Sequence, residues 1–234
     1  MSIYVTGDKH GEIDMKRISG RFWPQGRKTT EKDYLIILGD FGLIWNGVPD
    51  GIEAYWKVWL QNKPWTTLFI DGNHENHYRL NRLEKVRKFG GIVGRYSDKI
   101  FHLRRGQIYE IEGKKIFTFG GAVSIDKYLR TPDISWWKEE VASTTEMNEG
   151  MDNLEKHGNK VDYIMSHTAP AEAVDILLSS MGNNRFQDIN DPTEKYLDMV
   201  VKTCEFKELY CGHWHEDIDL GRYHFLYFDV KKIT

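Results

Sequence analysis

The sequence predicts an α/β fold, and three observations carry that prediction. Short runs of bulky apolar residues, too pure to be half-exposed, fit strands buried on both faces of a sheet. Between them lie segments whose apolar residues recur at helical spacing. The runs stop abruptly, most of them at a glycine, beside side chains able to bind metal or exchange protons, and an open α/β sheet gathers its ligands at such strand ends. The chain has 234 residues, 40% hydrophobic and 29% charged, with 8 Trp, 12 Tyr and 11 Phe, so a packed core is attainable. One domain over residues 1–234 is expected at this length.

Composition also narrows the function classes. A formal net charge of -3 exerts no bulk pull toward nucleic acid or an acidic membrane, so partners must be read from sites. No apolar run approaches the roughly 20 residues of a membrane span. The start Met1-Ser2-Ile3-Tyr4-Val5 runs into a strand without the pattern of a signal peptide, and Cys204 and Cys211 form no C-x-x-C, which suits free thiols. A cytoplasmic protein is therefore expected.

Ile3 to Thr6 is the first predicted strand, followed by Gly7-Asp8-Lys9-His10-Gly11. Residues i and i+2 of an extended segment share a side, so Asp8 and His10 converge while Lys9 points away; the pair is either a metal-binding edge or a polar turn. After a polar connection containing Pro24 and Gly26, Tyr34 to Leu38 is a nearly pure apolar strand ending in Gly39-Asp40-Phe41-Gly42. Gly51 to Gln61 carries Ile52, Tyr55, Trp56 and Trp59 at helical spacing and is expected to pack that stripe on the sheet. Thr66 to Ile70 is the next strand, ending in Asp71-Gly72-Asn73-His74-Glu75-Asn76. Tyr78 to Val86 then has helical spacing, with Leu80 and Leu83 inward and a basic strip of Arg79, Arg82 and Lys85 outward, a solvated face or a phosphate contact.

Ile100–Leu103, Gln107–Ile111 and Lys115–Phe119 form three predicted short strands with Gly106 and Gly113 in their turns, and Gly120-Gly121 ends them in a bend that lets backbone approach a ligand. Residues 123–143 show no period; Trp136-Trp137 there is core or a lid over the site. Met147 to Lys156 is a predicted helix, Val161 to Met165 a strand ending in Ser166-His167, and Asp191-Pro192 the start of a helix burying Tyr196, Leu197, Val200 and Val201. Leu209 to Cys211 is a strand ending in Gly212-His213-Trp214-His215, whose two imidazoles at i, i+2 are a metal signal. Asp217 to Asp229 is expected to be a hairpin turning at Gly221-Arg222.

Five strand ends thus offer Asp8 and His10, Asp40, Asn73 and His74, His167, and His213 with His215, more donors than one metal needs. Imidazole, carboxylate and amide without thiolate suit Mn, Fe or Zn. The ordered blocks G-D-x-H at Gly7–His10, G-D at Gly39-Asp40, G-N-H-E at Gly72–Glu75, His167, and G-H-x-H at Gly212–His215 resemble the calcineurin-like metallophosphoesterase superfamily. The resemblance implies a four-layer α/β/β/α sandwich with a dimetal site at the C-terminal ends of the central strands. It implies that Asp8, His10 and His215 hold one metal and Asn73, His167 and His213 the other, with Asp40 between. It gives His74 a catalytic role, stabilising the transition state or protonating the leaving oxygen while a metal-bridging hydroxide attacks phosphorus.

One block departs from the pattern. Serine/threonine phosphatases of the superfamily continue the second block as G-D-x-V-D-R-G, whose later Asp orients the catalytic His and whose Arg grips phosphate; here Gly39 to Trp45 supplies neither group. The expectation is a dimetal hydrolase of a small or nucleotide-derived phosphate ester, with Arg79 and Trp214 as candidate substrate contacts. The alternatives are a nuclease, in which the basic strip holds backbone phosphate and Trp45, Trp136 or Trp214 stacks bases, and a non-catalytic scaffold of the same fold.

Overall fold

Two sheets lie back to back between two layers of helix, an arrangement visible in how each strand divides its side chains. The computed structural model describes residues 1–182 and 190–234. The first sheet collects β1 (Ile3–Thr6), β2 (Tyr34–Leu38), β3 (Thr66–Ile70), β4 (Glu84–Lys88), β5 (Gly91–Ser97) and β6 (Ile100–Leu103). The second collects β7 (Gln107–Ile111), β8 (Lys114–Phe119), β9 (Tyr163–Ser166), β10 (Glu208–Cys211), β11 (Ile218–Leu220) and β12 (Tyr223–Phe225), after which β13 (Val230–Lys232) returns to the first. Their orders are β13-β1-β2-β3-β6-β5-β4 and β11-β12-β10-β9-β8-β7. β1, β2 and β3 run parallel in one sheet and β8, β9 and β10 in the other, so their carboxyl ends deliver loops to a common edge.

Alternation along the strands builds three cores. Ile3, Val5, Ile36, Leu38, Leu68 and Ile70 face Tyr109, Ile116, Tyr163 and Met165 between the sheets. On the other face of the first sheet, Leu35, Ile37 and Phe69 pack against Leu60 of α1 (Gly51–Gln61) and Leu80 of α2 (His77–Leu80). Phe117, Phe119 and Ile164 of the second sheet pack against Leu154 of α3 (Thr144–Lys156), Val174 and Leu177 of α4 (Ala171–Ser180), and Tyr196 and Val200 of α5 (Pro192–Thr203). The four-layer α/β/β/α sandwich is therefore observed. Cys204 and Cys211 are buried free thiols, and no helix among the described residues is long and apolar enough to cross a membrane.

Several local expectations give way. The helix expected over Tyr78–Val86 ends at Leu80, and Glu84–Lys88 is instead an edge strand, its exposed charges guarding an unpaired edge. Phe89 (φ 55) and Gly90 (φ 82) form the two-residue turn into β5, and paired positive φ values of this kind favour a hairpin over a continued helix. The basic strip dissolves with that helix. In α1 the inward residues include Glu53, turned in by Arg79 and Tyr96, so Ile52 and Tyr55 of the aromatic stripe stand exposed at 47% and 62%. The three short strands divide between the sheets, Ile100–Leu103 joining the first and the other two the second. The Gly120-Gly121 bend approaches Asp71, whose carbonyl accepts from Gly121 N at 2.9 Å. Helix α4 was legible in the spacing of Ala173, Val174, Leu177 and Leu178 but does not figure among the expected elements.

Candidate metal centre

The loops after β1, β2 and β3 are sewn to one another before any side chain is considered. Asp40 O accepts from Lys9 N (3.0 Å) and His10 N (2.8 Å), and Asp40 Oδ1 accepts from His74 N (2.7 Å). Lys9 does point away, its buried ammonium donating to the carbonyls of Asp8 and Tyr227. His10, Asp40, His213 and His215 are four of the eight non-glycine residues with positive φ among the described residues, a strained backbone that clusters where function over-determines it. Two glycines set how closely the loops can meet. A Cβ on Gly39 (φ 94) would lie 2.0 Å from His167 Nδ1, and one on Gly72 would lie 2.1 Å from Asp40 Oδ1.

All eight residues expected at the centre come together. His215 Nε2 lies 3.0 Å from Asp8 Oδ2, His10 Nε2 3.4 Å from Asp40 Oδ2, and His167 Nε2 3.4 Å from Asp40 Oδ1. His167 Nε2 is also 3.0 Å from Asn73 Oδ1, and the His213 ring centroid is 4.9 Å from that of His167. Donor atoms of Asp8, His10 and His215, of His10, Asp40 and His74, and of Asp8, Asp40 and His167 fall into groups within 4.8 Å, each compact enough to hold a cation.

Neighbouring groups aim these donors. His167 Nδ1 donates to Leu38 O at 2.9 Å, which leaves the Nε2 lone pair facing the cluster, and Asp14 Oδ2 stands 3.2 Å from His10 Nδ1 with the same effect. Asn73 Nδ2 donates to Ser124 Oγ (3.1 Å), turning its carbonyl oxygen inward. Tyr227 stacks on His215 with centroids 4.4 Å apart. Glu75 Oε1 accepts from Phe41 N (2.7 Å) and Gly42 N (3.3 Å), and burial together with the charge of Asp40 pushes its pKa well above the carboxylate range. Asn76 caps α2 and donates to Trp45 O, so these two residues lock the third block to the second.

The electrostatics are those of a site short of positive charge. Asp8 and Asp40 are buried, and no Lys or Arg pairs with either among the described residues. Burial opposes their ionisation, yet the imidazoles of His215, His167 and His10 hold both below the ordinary value of 3.8. His10 answers in kind: against burial, Asp40, Asp8 and Asp14 raise it to about 9. His213, half-buried beside His167, is pushed by desolvation down to about 3. Anionic oxygens and imidazole nitrogens facing one point fit a divalent cation, which would displace the protons these imidazoles draw.

A family model for calcineurin-like phosphoesterase matches residues 1–217. The chain belongs to that family. No curated protein matches the chain. As a calcineurin-like phosphoesterase it belongs to a group whose work is metal-dependent hydrolysis of phosphate esters. The cavity over the centre, ≈ 440 Å³, is walled by Asn73, His74, His213, Trp214, Ile125, Asp126 and Arg130. Trp214 holds its place there by donating Nε1–H to Thr168 Oγ1 at 3.2 Å. Arg79 does not line it: its guanidinium grips Glu53 at 2.7 and 2.8 Å and Asn46 O at 2.8 Å. Sequence reasoning missed Arg130, whose Nη2 lies 2.8 Å from His74 Nε2 while its Nε pairs with Asp126 Oδ1 at 2.8 Å. A guanidinium only donates, so His74 Nε2 accepts and the ring is neutral; burial and the Arg130 charge lower its pKa below 6.5 against the pull of Asp40. No spacing around Arg130 announces this, because it lies in the aperiodic stretch after β8.

Proposed function

We propose that the protein is a dinuclear hydrolase of small phosphate esters, a phosphodiesterase or phosphatase. Asp8, His10 and His215 would hold one cation, Asn73, His167 and His213 the second, and Asp40 would serve both. When bound, two Mn, Fe or Zn ions supply positive charge for the phosphoryl oxygens and lower the pKa of a water so that hydroxide is available near neutral pH. The observation that carries the reading is the convergence of these donors, from five strands of two sheets, on buried carboxylates that lack a guanidinium or ammonium partner.

Arg130 takes the place of the phosphate-gripping arginine that the second block lacks. Its fork donates to the non-bridging oxygens of the incoming ester, leaving His74 Nε2. Loss of the adjacent guanidinium and arrival of a negative charge both raise the proton affinity of His74, which then holds the proton that the leaving oxygen needs. Trp45, stacked on His74 with centroids 5.7 Å apart, keeps the ring in position. A small ester is favoured over a nucleic acid strand because Arg130 is, among the described residues, the one Arg or Lys lining this cavity. The buried free thiols suit action in a reducing cytoplasm.

The test is a panel of p-nitrophenyl monoesters and diesters with Mn-loaded protein. Turnover of one class or both is expected, and inactivity toward all of them at full metal occupancy would contradict the reading.

A further inference from the structure

We propose that a groove beside the metal centre selects the organic arm of the ester, and that this arm is an uncharged, ring-bearing alcohol of the nucleoside type with no second phosphate. The inference rests on the phosphoester reading and adds the substrate class to it. The groove holds ≈ 350 Å³, the size of a small ligand site, and it opens from the centre because His10 and His74 line both.

Its walls combine apolar and acidic side chains. Leu43 is buried in its floor and Trp45 half-buried, while Ile13 and Ile52 line it although 65% and 47% exposed. Apolar side chains standing in water around a concave surface that adjoins a reactive centre are what a flat ring would cover. Charge then restricts the ring's substituents. Glu12, Asp50 and Glu53 line the groove, and no Lys or Arg among the described residues does. Two of these acids already serve the fold: Asp50 caps α1 and accepts from Asn46 Nδ2, and Glu53 holds Arg79. Glu12 is exposed and has neither hydrogen bond nor ion pair among the described residues.

A free carboxylate at this place accepts from a hydroxyl or amino group and repels a phosphate. Positive charge therefore stands at the phosphoryl end, on Arg130, and negative charge along the groove that takes the arm. A nucleic acid strand carries phosphate on both sides of each nucleoside and would set one of them against Glu12, so the charge pattern disfavours the nuclease alternative as well.

The experiment compares three arms, methyl, thymidine and thymidine 3′-phosphate, each presented as the monoester and as the p-nitrophenyl diester to Mn-loaded protein. The expected kcat/KM for the thymidine arm exceeds that for methyl by about tenfold, the order of one stacked ring, and the 3′-phosphate cancels the gain. Ile52→Ser should shrink the thymidine-to-methyl ratio, and Glu12→Lys should raise the phosphorylated arm relative to thymidine several-fold. Equal values for all three arms, unchanged by Glu12→Lys, overturn the proposal. Calorimetric binding of the same esters separates it from the reading beneath it. An inert protein that still binds the thymidine ester more tightly than the methyl ester, with the preference lost in Ile52→Ser, upholds the groove and sinks the phosphoesterase. An active protein with no preference does the reverse.

Discussion

Asp40 and Asp71 end neighbouring strands, are both buried, and lie on loops joined through Glu75 and His74, yet their surroundings differ in kind. Asp71 receives Arg105 Nε at 2.8 Å and His102 Nε2 at 3.0 Å, and Arg105 in turn donates to the carbonyls of Glu139 and Glu140. Against the opposing effect of burial, the guanidinium and the imidazole hold Asp71 far below the carboxylate range. Asp40 meets imidazoles and another carboxylate, and no guanidinium. Both clusters are buried and polar, and what separates them is whether the charge is closed within the chain. A closed cluster fastens the β3 loop to residues 139 and 140, while the open one has donors that could hold a cation.

The comparison can be broken at either end. The largest effect is expected from Arg105→Ala, which strands a buried carboxylate and should cost about 3–5 kcal/mol in urea unfolding, with metal content per folded protein intact. His74→Ala should lower turnover by about 10²–10⁴-fold, leaving metal content nearly unchanged, and Arg130→Ala should also lose turnover, chiefly through KM. Unchanged turnover in His74→Ala would sink its assigned role. Asp40→Asn removes a carboxylate that imidazoles alone balance, so it should cost the chelated protein less than Asp71→Asn does. It should abolish most of the stabilisation by metal, about 2.7 kcal/mol in the parent at a hundredfold excess over Kd. Asp71→Asn, by contrast, should destabilise with or without metal.

The last effect concerns pH and a third buried carboxylate. Burial and the charge of Asp191 raise Glu194 from 4.5 to about 8, with Thr168 donating to it at 3.0 Å. The folded state therefore keeps a proton that the unfolded state releases at about 4.3. Stability from this group is full below that value and falls as pH rises to about 8, at no more than about 1.4 kcal/mol per pH unit. Glu194→Gln should flatten that part of the stability curve measured by denaturant titration.

The sheets were legible because Tyr34–Leu38 and Leu68–Ile70 are apolar on both faces, and only a doubly covered strand tolerates that. The candidate donors were legible because each follows a strand within a few residues, so local order and three-dimensional place coincide. Arg79 misled because its spacing matched a helix that stops at Leu80, and because nothing local reveals that Glu53, 26 residues earlier, claims its guanidinium. Arg130, Asp14 and Ser124 act through contacts between distant loops, and no periodicity encodes these. Asp71 and Asp40 look alike in sequence for the same reason: the difference lies in Arg105, 34 residues away.

The central claim is that the open cluster is completed by two cations that make it a phosphoesterase. Chelated protein titrated with Mn, with bound metal and hydrolysis of bis(p-nitrophenyl) phosphate and p-nitrophenyl phosphate followed together, tests it most directly. Hydrolysis should be absent without metal and reach its plateau at two bound ions per chain. Hydrolysis that survives chelation, or that fails to appear with two ions bound, would contradict the claim.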